Sequence, residues 1–296
     1  METSPHHTMH KHLFLILAVF AATGARADQP MHVVESFEQN YIRQLSGEYL
    51  VPILVPSRQG MKLCAVSAAA STRQIVERFL VLLDELSLKE NSAYFVSKSG
   101  DCPSGVTALI QFSDNAPEKD FVKLLEGPTN IFGLDMSFPS YPHWSMWEGA
   151  KTAFQLDDNY NLYSITVVRT SVPYDVLKAY TIKAMFQLST TSQIVEWAGP
   201  FFSIAQTYEP EVSGGLVYEA PDAETSIVKY TATNAVGLCT SDVVNMAFLV
   251  QHMTDGASPT QAQAEISRTS AEIESDLKDR KIFERFADIL DNRCTR

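Results

Sequence analysis

Between Asn159 and Leu188 the chain carries a run of strand-forming residues, Leu162-Tyr163-Ser164-Ile165-Thr166-Val167-Val168, that passes through Pro173 into a helical pattern from Tyr174 to Leu188. β-branched and aromatic side chains fit a pleated, half-buried surface, and proline is preset for the opening of a helix. At 100° per residue, Leu177, Tyr180, Ala184 and Leu188 share one face. Ile182 and Phe186 lie nearly opposite, beside Asp175, Lys178 and Lys183. Apolar groups on two sides imply a helix covered from two directions. The chain is therefore expected to be an α+β protein, a mixed sheet with this helix at its centre. A strand running into a helix is also where an enzyme places its chemistry, yet the residues for it are missing here.

The chain opens with a pattern of export. His10, Lys11 and His12 precede an apolar run from Leu13 to Thr23, and Ala25-Arg26-Ala27 has the small-x-small form that signal peptidase accepts. The run is about half the length a membrane span needs, so residues 1–27 read as a cleaved leader rather than an anchor. Met9 offers a second start, because residues 1–8 add nothing a leader requires. No further apolar span follows, so the product is expected to be soluble, and periplasmic or secreted. Residues 28–256 then read as the α+β domain and residues 257–296 as a C-terminal helical segment packed on it. The whole chain carries a net charge of −12, and loss of the leader makes it one unit more negative. That excess of acid argues against nucleic acid or an anionic membrane as partner.

Four cysteines, Cys64, Cys102, Cys239 and Cys294, are an even set in an exported chain and suggest two disulfides, for which three pairings exist. Sequential pairing closes the shortest loops, each worth about 3–4 kcal/mol in the chain-entropy model. None stands in a C-x-x-C pair, which speaks against redox or zinc-ribbon roles.

Taken in order, Val33 to Leu45 has Phe37, Tyr41, Ile42 and Leu45 at helical spacing and reads as a first helix packed on the outside. Pro52 and Pro56 confine any strand at Tyr49 to Val55 to a sheet edge. Met61 to Val66 reads as a strand, followed by Ser71-Thr72-Arg73-Gln74 as a capping box and by a helical stripe of Ile75, Val76, Phe79, Leu80, Leu83 and Leu86. Strands are expected at Ala93 to Ser97 and Val106 to Phe112, and a short helix from Pro117. Lys151 to Leu156 and Leu162 to Val168 form a hairpin around Asp157-Asp158-Asn159-Tyr160-Asn161. Those five residues also match the opening of a calcium loop. Leu162 and Val168 stand where such a loop needs glycine and a bidentate acid, so no metal or other cofactor is expected. Beyond the breakers of residues 189–241, strands are expected at Leu216 to Glu219 and Ser226 to Ala232. A helix follows from Asp242 to Met253, and a last helical stretch begins at Ser258-Pro259.

The candidates for chemistry are few. Beyond the leader the histidines are His32, His143 and His252, in no metal-ligand pair. No nucleophile elbow, P-loop or dinucleotide fingerprint occurs. Residues 129–149 crowd aromatics onto a loop, with Tyr141, Trp144 and Trp147 as a possible binding platform. His143, with Glu148, Asp157 or Asp158 as acid-base partners, is the catalytic alternative.

The order of elements, strand (61–66), helix (71–86), two strands (93–97 and 106–112), strand (162–168) and helix (174–188), resembles the amino-terminal half of zincin metallopeptidases. It looks closest to a group of uncharacterised exported bacterial proteins with that layout. Laid on that family's active-site helix, Lys183 and Gln187 take the two histidine places and Ala184 that of the general base. Phe248 to Met253, followed by Gly256, Pro259 and Ala262, is similar to the group's carboxy-terminal stretch, so the resemblance runs from Leu63 to Ile266. It implies a degenerate zincin-like layout without the zinc motif, because an ammonium has no free lone pair and alanine cannot take a proton from water. Three functional expectations follow. The first is a non-catalytic exported protein that binds a periplasmic or envelope partner. The others are a hydrolase with a loop-assembled site and a carbohydrate- or peptide-binding module.

Overall fold

The computed structural model describes residues 28–42, 61–88, 92–98, 102–114, 145–147, 149–156, 162–191, 195–196, 203–207, 211–212, 215–216, 234–254 and 257–295. The expected leader, the turn at 157–161, and the elements expected at Tyr49 to Val55, from Pro117 and at Ser226 to Ala232 lie outside these residues.

Six strands build the main sheet: β1 (Lys62–Val66), β2 (Ala93–Ser97), β3 (Ala108–Ser113), β4 (Ser145–Trp147), β5 (Ala150–Leu156) and β6 (Leu162–Arg169), in the order β2-β1-β3-β6-β5-β4. The first four in that order are parallel, and β5 and β4 add an antiparallel edge. Parallel strands are covered on both faces and read as continuous apolar runs. Leu63, Cys64, Ala65 and Val66 of β1, and Ala108, Leu109, Ile110 and Phe112 of β3, are accordingly all buried. The expected hairpin is present, with β5 and β6 antiparallel from Ala150↔Val168 to Leu156↔Leu162.

Two helices pack together along this sheet. The first, running from Ala70 to Ser87, connects β1 to the parallel β2, and the second, Tyr174–Thr190, follows β6. In chain order the helices are α1 (Asp28–Phe37), these two as α2 and α3, α4 (Thr240–Ala247), α5 (Pro259–Asp279) and α6 (Ile282–Arg285). Helix α3 is the central one: it packs on α2, β5 and β6, and every residue from Ala179 to Thr190 is buried. Thr191, at φ 53°, ends it, and its N–H donates to Gln187 O. The Thr190 hydroxyl donates to Phe186 O at 2.7 Å and the Ser189 hydroxyl to the same carbonyl at 3.0 Å, so the Ser-Thr-Thr run satisfies the last turn.

Three expectations are corrected. Helix α1, continued by a single π turn at Glu38–Ile42, is not an outer helix: Val33, Ser36, Phe37, Gln39, Asn40 and Tyr41 are buried, and it packs against α4 and α5. Six buried positions in nine residues exceed what one amphipathic stripe supplies, because the inward face includes polar groups that found partners. Ser71 does not cap α2. The cap is Ala69, and Thr72 Oγ1 donates to its carbonyl at 2.9 Å. The expected helix from Asp242 to Met253 is α4 followed by a π turn at Phe248–His252. At α5 the expected start holds, with Ser258 and Gln261 capping each other through side chain and backbone.

Both disulfides follow the sequential pairing, Cys64–Cys102 and Cys239–Cys294. The second helps to close the C-terminal end. There Leu238 bridges Leu290, and Gly237 lies so close to the chain at Ile289 and Leu290 that a Cβ would stand 2.7 Å from Ile289 O. Phe286, Ile289 and Cys294 join the same core as α3 and α4, so residues 257–295 pack onto the rest of the protein.

Candidate functional site

The place to look is the middle of α3. Lys183 and Gln187, one turn apart on one face, are both 0% exposed, and Ala184 is buried beside them. Gln187 meets the sheet. Thr152 and Thr166 face each other across β5 and β6 with hydroxyls 2.8 Å apart, and Thr152 Oγ1 donates to Gln187 Oε1 at 3.3 Å. Each hydroxyl has one proton, so the Thr166 hydroxyl is the donor in the Thr152 pair.

The positive charge of Lys183 acts on a residue that sequence reasoning passed over, Asp242. It is the third residue of α4 and fully buried, and its carboxylate receives three donors. The Ser203 hydroxyl donates to Oδ1 at 2.5 Å, and the N–H groups of Ile204 and Cys239 donate to Oδ2 at 2.7 and 2.8 Å. Burial pushes the carboxyl up to about 7, against the pull of these three donors and of the Lys183 positive charge. Loss of hydration outweighs every favourable contact at this position.

From Ser203 a seam of polar side chains runs to α1. Asn40 Nδ2 donates to Ser203 Oγ at 2.9 Å and lies 3.4 Å from Ser36 Oγ, which also accepts from Asn245 Nδ2 of α4 at 3.1 Å. Gln206 Nε2 donates to Gln39 Oε1 at 2.8 Å. Asn40 Oδ1 and Asn245 Oδ1 are buried and accept no hydrogen bond among the described residues. Buried carbonyls in that condition are uncommon and cost about 1–3 kcal/mol each. The seam therefore joins three segments that are distant in sequence, 36–40, 203–206 and 242–245.

This donor set does not fit zinc. The Lys183 ammonium offers no lone pair, Ala184 offers no base, and the oxygens of Asp242 are already occupied by three hydrogen-bond donors. Among the described residues no group of three or more His, Cys, Asp or Glu is placed to hold a metal ion.

Tyr141, His143, Trp144, Glu148, Asp157 and Asp158 lie outside the described residues, and Trp147 is the last residue of β4. His32 is exposed on α1 and His252 is exposed at the end of the π turn after α4. The polar stripe Ser36, Gln39, Asn40, set at helical spacing and interleaved with Phe37 and Tyr41, was the available sign of a buried network. Scans against family models, curated proteins and solved structures return no match.

Proposed function

We propose that this is an exported, non-catalytic protein that acts by binding a periplasmic or envelope partner, a protein, peptide or glycan, on a degenerate zincin-like layout. One observation carries the reading. The turn of α3 that the resemblance assigns to catalysis, Lys183-Ala184-Met185-Phe186-Gln187, is buried throughout, with Gln187 bonded to the sheet and the charge of Lys183 acting on the buried Asp242. A catalytic group needs hydrogen-bond reach to a substrate, and these side chains are turned inward. Their chemistry is that of a polar core, which fixes how helices seat rather than what they cut.

Export is supported by two disulfides and by the absence, among the described residues, of any helix long and apolar enough to cross a membrane. The deciding experiment measures metal content and peptidase activity in the purified protein. The expected result is sub-stoichiometric zinc and no hydrolysis that a chelator abolishes. Stoichiometric zinc together with chelator-sensitive cleavage of a peptide would end the non-catalytic reading.

A further inference from the structure

We propose that β2 is a self-association edge, at which two copies of this chain pair their β2 strands antiparallel about a twofold axis and join their main sheets into one. Among the described residues β2 is the last strand on its side of the sheet, and its bonds to β1 fix which main-chain groups are left over. The Ala93 N–H donates to Met61 O at 2.9 Å, and Ser97 O accepts from the Ser67 N–H at 3.0 Å. Alternate residues of a strand bond to the same neighbour, so Ala93, Phe95 and Ser97 turn their peptide groups to β1. The N–H and C=O groups of Tyr94 and Val96 therefore point outwards, where no described strand lies.

Nothing blunts this edge. Natural sheets protect open edges with charges, prolines, bulges or very short strands, and Ala93-Tyr94-Phe95-Val96-Ser97 is a five-residue strand, in unbroken register with β1, that carries none of these. Its flank is apolar as well. Among the described residues four large apolar side chains are exposed, and three belong to this side of the protein: Val96 on β2, Val81 on α2 and Leu88 at the C-terminal cap of α2. Helix α2 runs along β2, because Asp84 Oδ1 accepts from the Ser92 N–H at 3.2 Å and the charges of Glu77 and Arg73 act on Tyr94. Val81 stands between those anchor points. Clustered apolar exposure of this kind marks an interface.

A second copy matches the edge in both pattern and charge. Antiparallel strands exchange both bonds between residues whose peptide groups face each other. The register that uses both outward residues pairs Tyr94 with the second copy's Val96, and Val96 with its Tyr94. Phe95 then falls on the twofold axis opposite itself, at a position where paired side chains lie closest. Ser92, Tyr94, Val96 and Lys98 share the face along which α2 runs. The same register sets the exposed Lys98 of each copy opposite Ser92 of the other, and Ser92 is bonded to Asp84. An ammonium thus approaches a carboxylate at both ends of the pair, and aromatic meets aliphatic between them. A strand of arbitrary sequence lacks that two-ended match, whereas a twofold axis supplies it from one patch. The strand pair alone is smaller than the roughly 1,200–2,000 Å² of a stable interface, so the dimer is expected to be weak and concentration-dependent.

Sedimentation equilibrium of the purified protein from about 1 to 500 μM is expected to show a monomer–dimer equilibrium. Val96→Pro removes an outward N–H without touching a bond to β1, and the twofold axis loses that donor twice, so the dissociation constant should rise about tenfold or more. Lys98→Glu should raise it about threefold. Phe95→Cys should give a disulfide-linked dimer on mild oxidation, while Tyr94→Cys, displaced from its own copy along the strand, should not. A protein that stays monomeric at every concentration overturns the proposal, whether or not its edge takes up an added strand-forming peptide. So does a dimer that Val96→Pro leaves as tight, or a crosslink equally strong at Tyr94→Cys. Thermal unfolding at the lowest concentration checks that each variant folds, and should Val96→Pro fail, Lys98→Glu and the Phe95→Cys crosslink decide.

Discussion

Two buried aspartates flank the same disulfide and behave in opposite ways. Asp242, three residues after Cys239, is pushed up to about 7. Asp291, three residues before Cys294, is also raised by burial, but the Arg293 guanidinium and the Val236 and Arg293 amides overcome that and hold it below the usual carboxylate range. The difference lies in how each positive partner is delivered. Arg293 closes on Asp291 with a charge-assisted pair, Nη2 to Oδ2 at 2.5 Å and Nε to Oδ1 at 2.8 Å, at a half-exposed site where the guanidinium stays partly hydrated. Lys183 acts on Asp242 from within the core, where both charges have left water. A charge placed at the C-terminal clasp is stabilised, whereas a charge placed at the seam is tolerated.

The largest expected effect separates the two regions by truncation. Asp242→Ala orphans the Ser203 hydroxyl and the Ile204 and Cys239 amides, for a loss of about 3–5 kcal/mol. Asp242→Asn keeps the shape and one acceptor oxygen, which can take both amide donors while its NH2 faces the Ser203 hydroxyl, so a large part of that loss should be spared. Equal losses for the two variants in urea titrations would show that charge, and not hydrogen bonding, holds the seam.

Removing the covalent tie should come next. Cys239→Ala with Cys294→Ala releases a 55-residue separation and is expected to cost about 2–4 kcal/mol. With the tie gone, the Leu238–Leu290 bridge and the Asp291 clasp remain, together with the buried Phe286 and Ile289 and the Arg78–Asp288 and Arg285–Glu85 pairs. Retention of the Phe286 and Ile289 amide protection in the double variant would show that these contacts suffice without the disulfide.

The sheet and its central helix could be read from the chain because their rules are local. Continuous apolar runs such as Leu63-Cys64-Ala65-Val66 announced strands covered on both faces, and the two apolar sides of α3 announced a helix enclosed from two directions. The seam resisted reading because its members look ordinary one at a time. Asp242 stands where many helices carry a first-turn acid, and Lys183 reads as a solvated residue beside Asp175 and Lys178. What makes them a site is that residues 36–40, 183, 203–206 and 242–245 converge, and sequence spacing does not report convergence. The same limit explains α1: its polar residues pointed to solvent by type, but each had a partner some 160 or more residues away at Ser203, Gln206 or Asn245.

The pH dependence of global stability sharpens the contrast at intermediate size. A carboxyl raised in the folded state contributes stability that is complete below its unfolded value, near 4, and is lost as pH rises through about 7. A carboxyl held low, as Asp291 is, contributes stability that is present above the unfolded value and is lost as pH falls through its folded one. Between pH 4 and 7 the Asp242 contribution should therefore decline with pH while that of Asp291 stays level. In Asp242→Asn the decline should vanish, and in Asp291→Asn it should persist. A decline that vanishes in Asp291→Asn instead would reverse the assignment of the two roles.

The smallest expected effect tests whether the segment carrying the clasp needs its own local signal. Ser258 accepts from the Gln261 amide at 3.3 Å, and the Gln261 side chain returns the bond to the Ser258 N–H at 2.9 Å, so two amides at the start of α5 are satisfied outside the core. Ser258→Ala should cost about 1 kcal/mol. The loss should not vary with pH between 4 and 7, because neither Ser258 nor Gln261 titrates there. Helix α5 buries Ala262, Ile266, Ile273 and Leu277 against the core that α1 also joins. A fray confined to its first turn would thus leave α1 protection unchanged. If Ser258→Ala instead lowered α1 protection by as much as Asp242→Ala, the seat of α1 would depend on α5 rather than on the seam, and the contrast between the two aspartates would no longer describe what holds that helix.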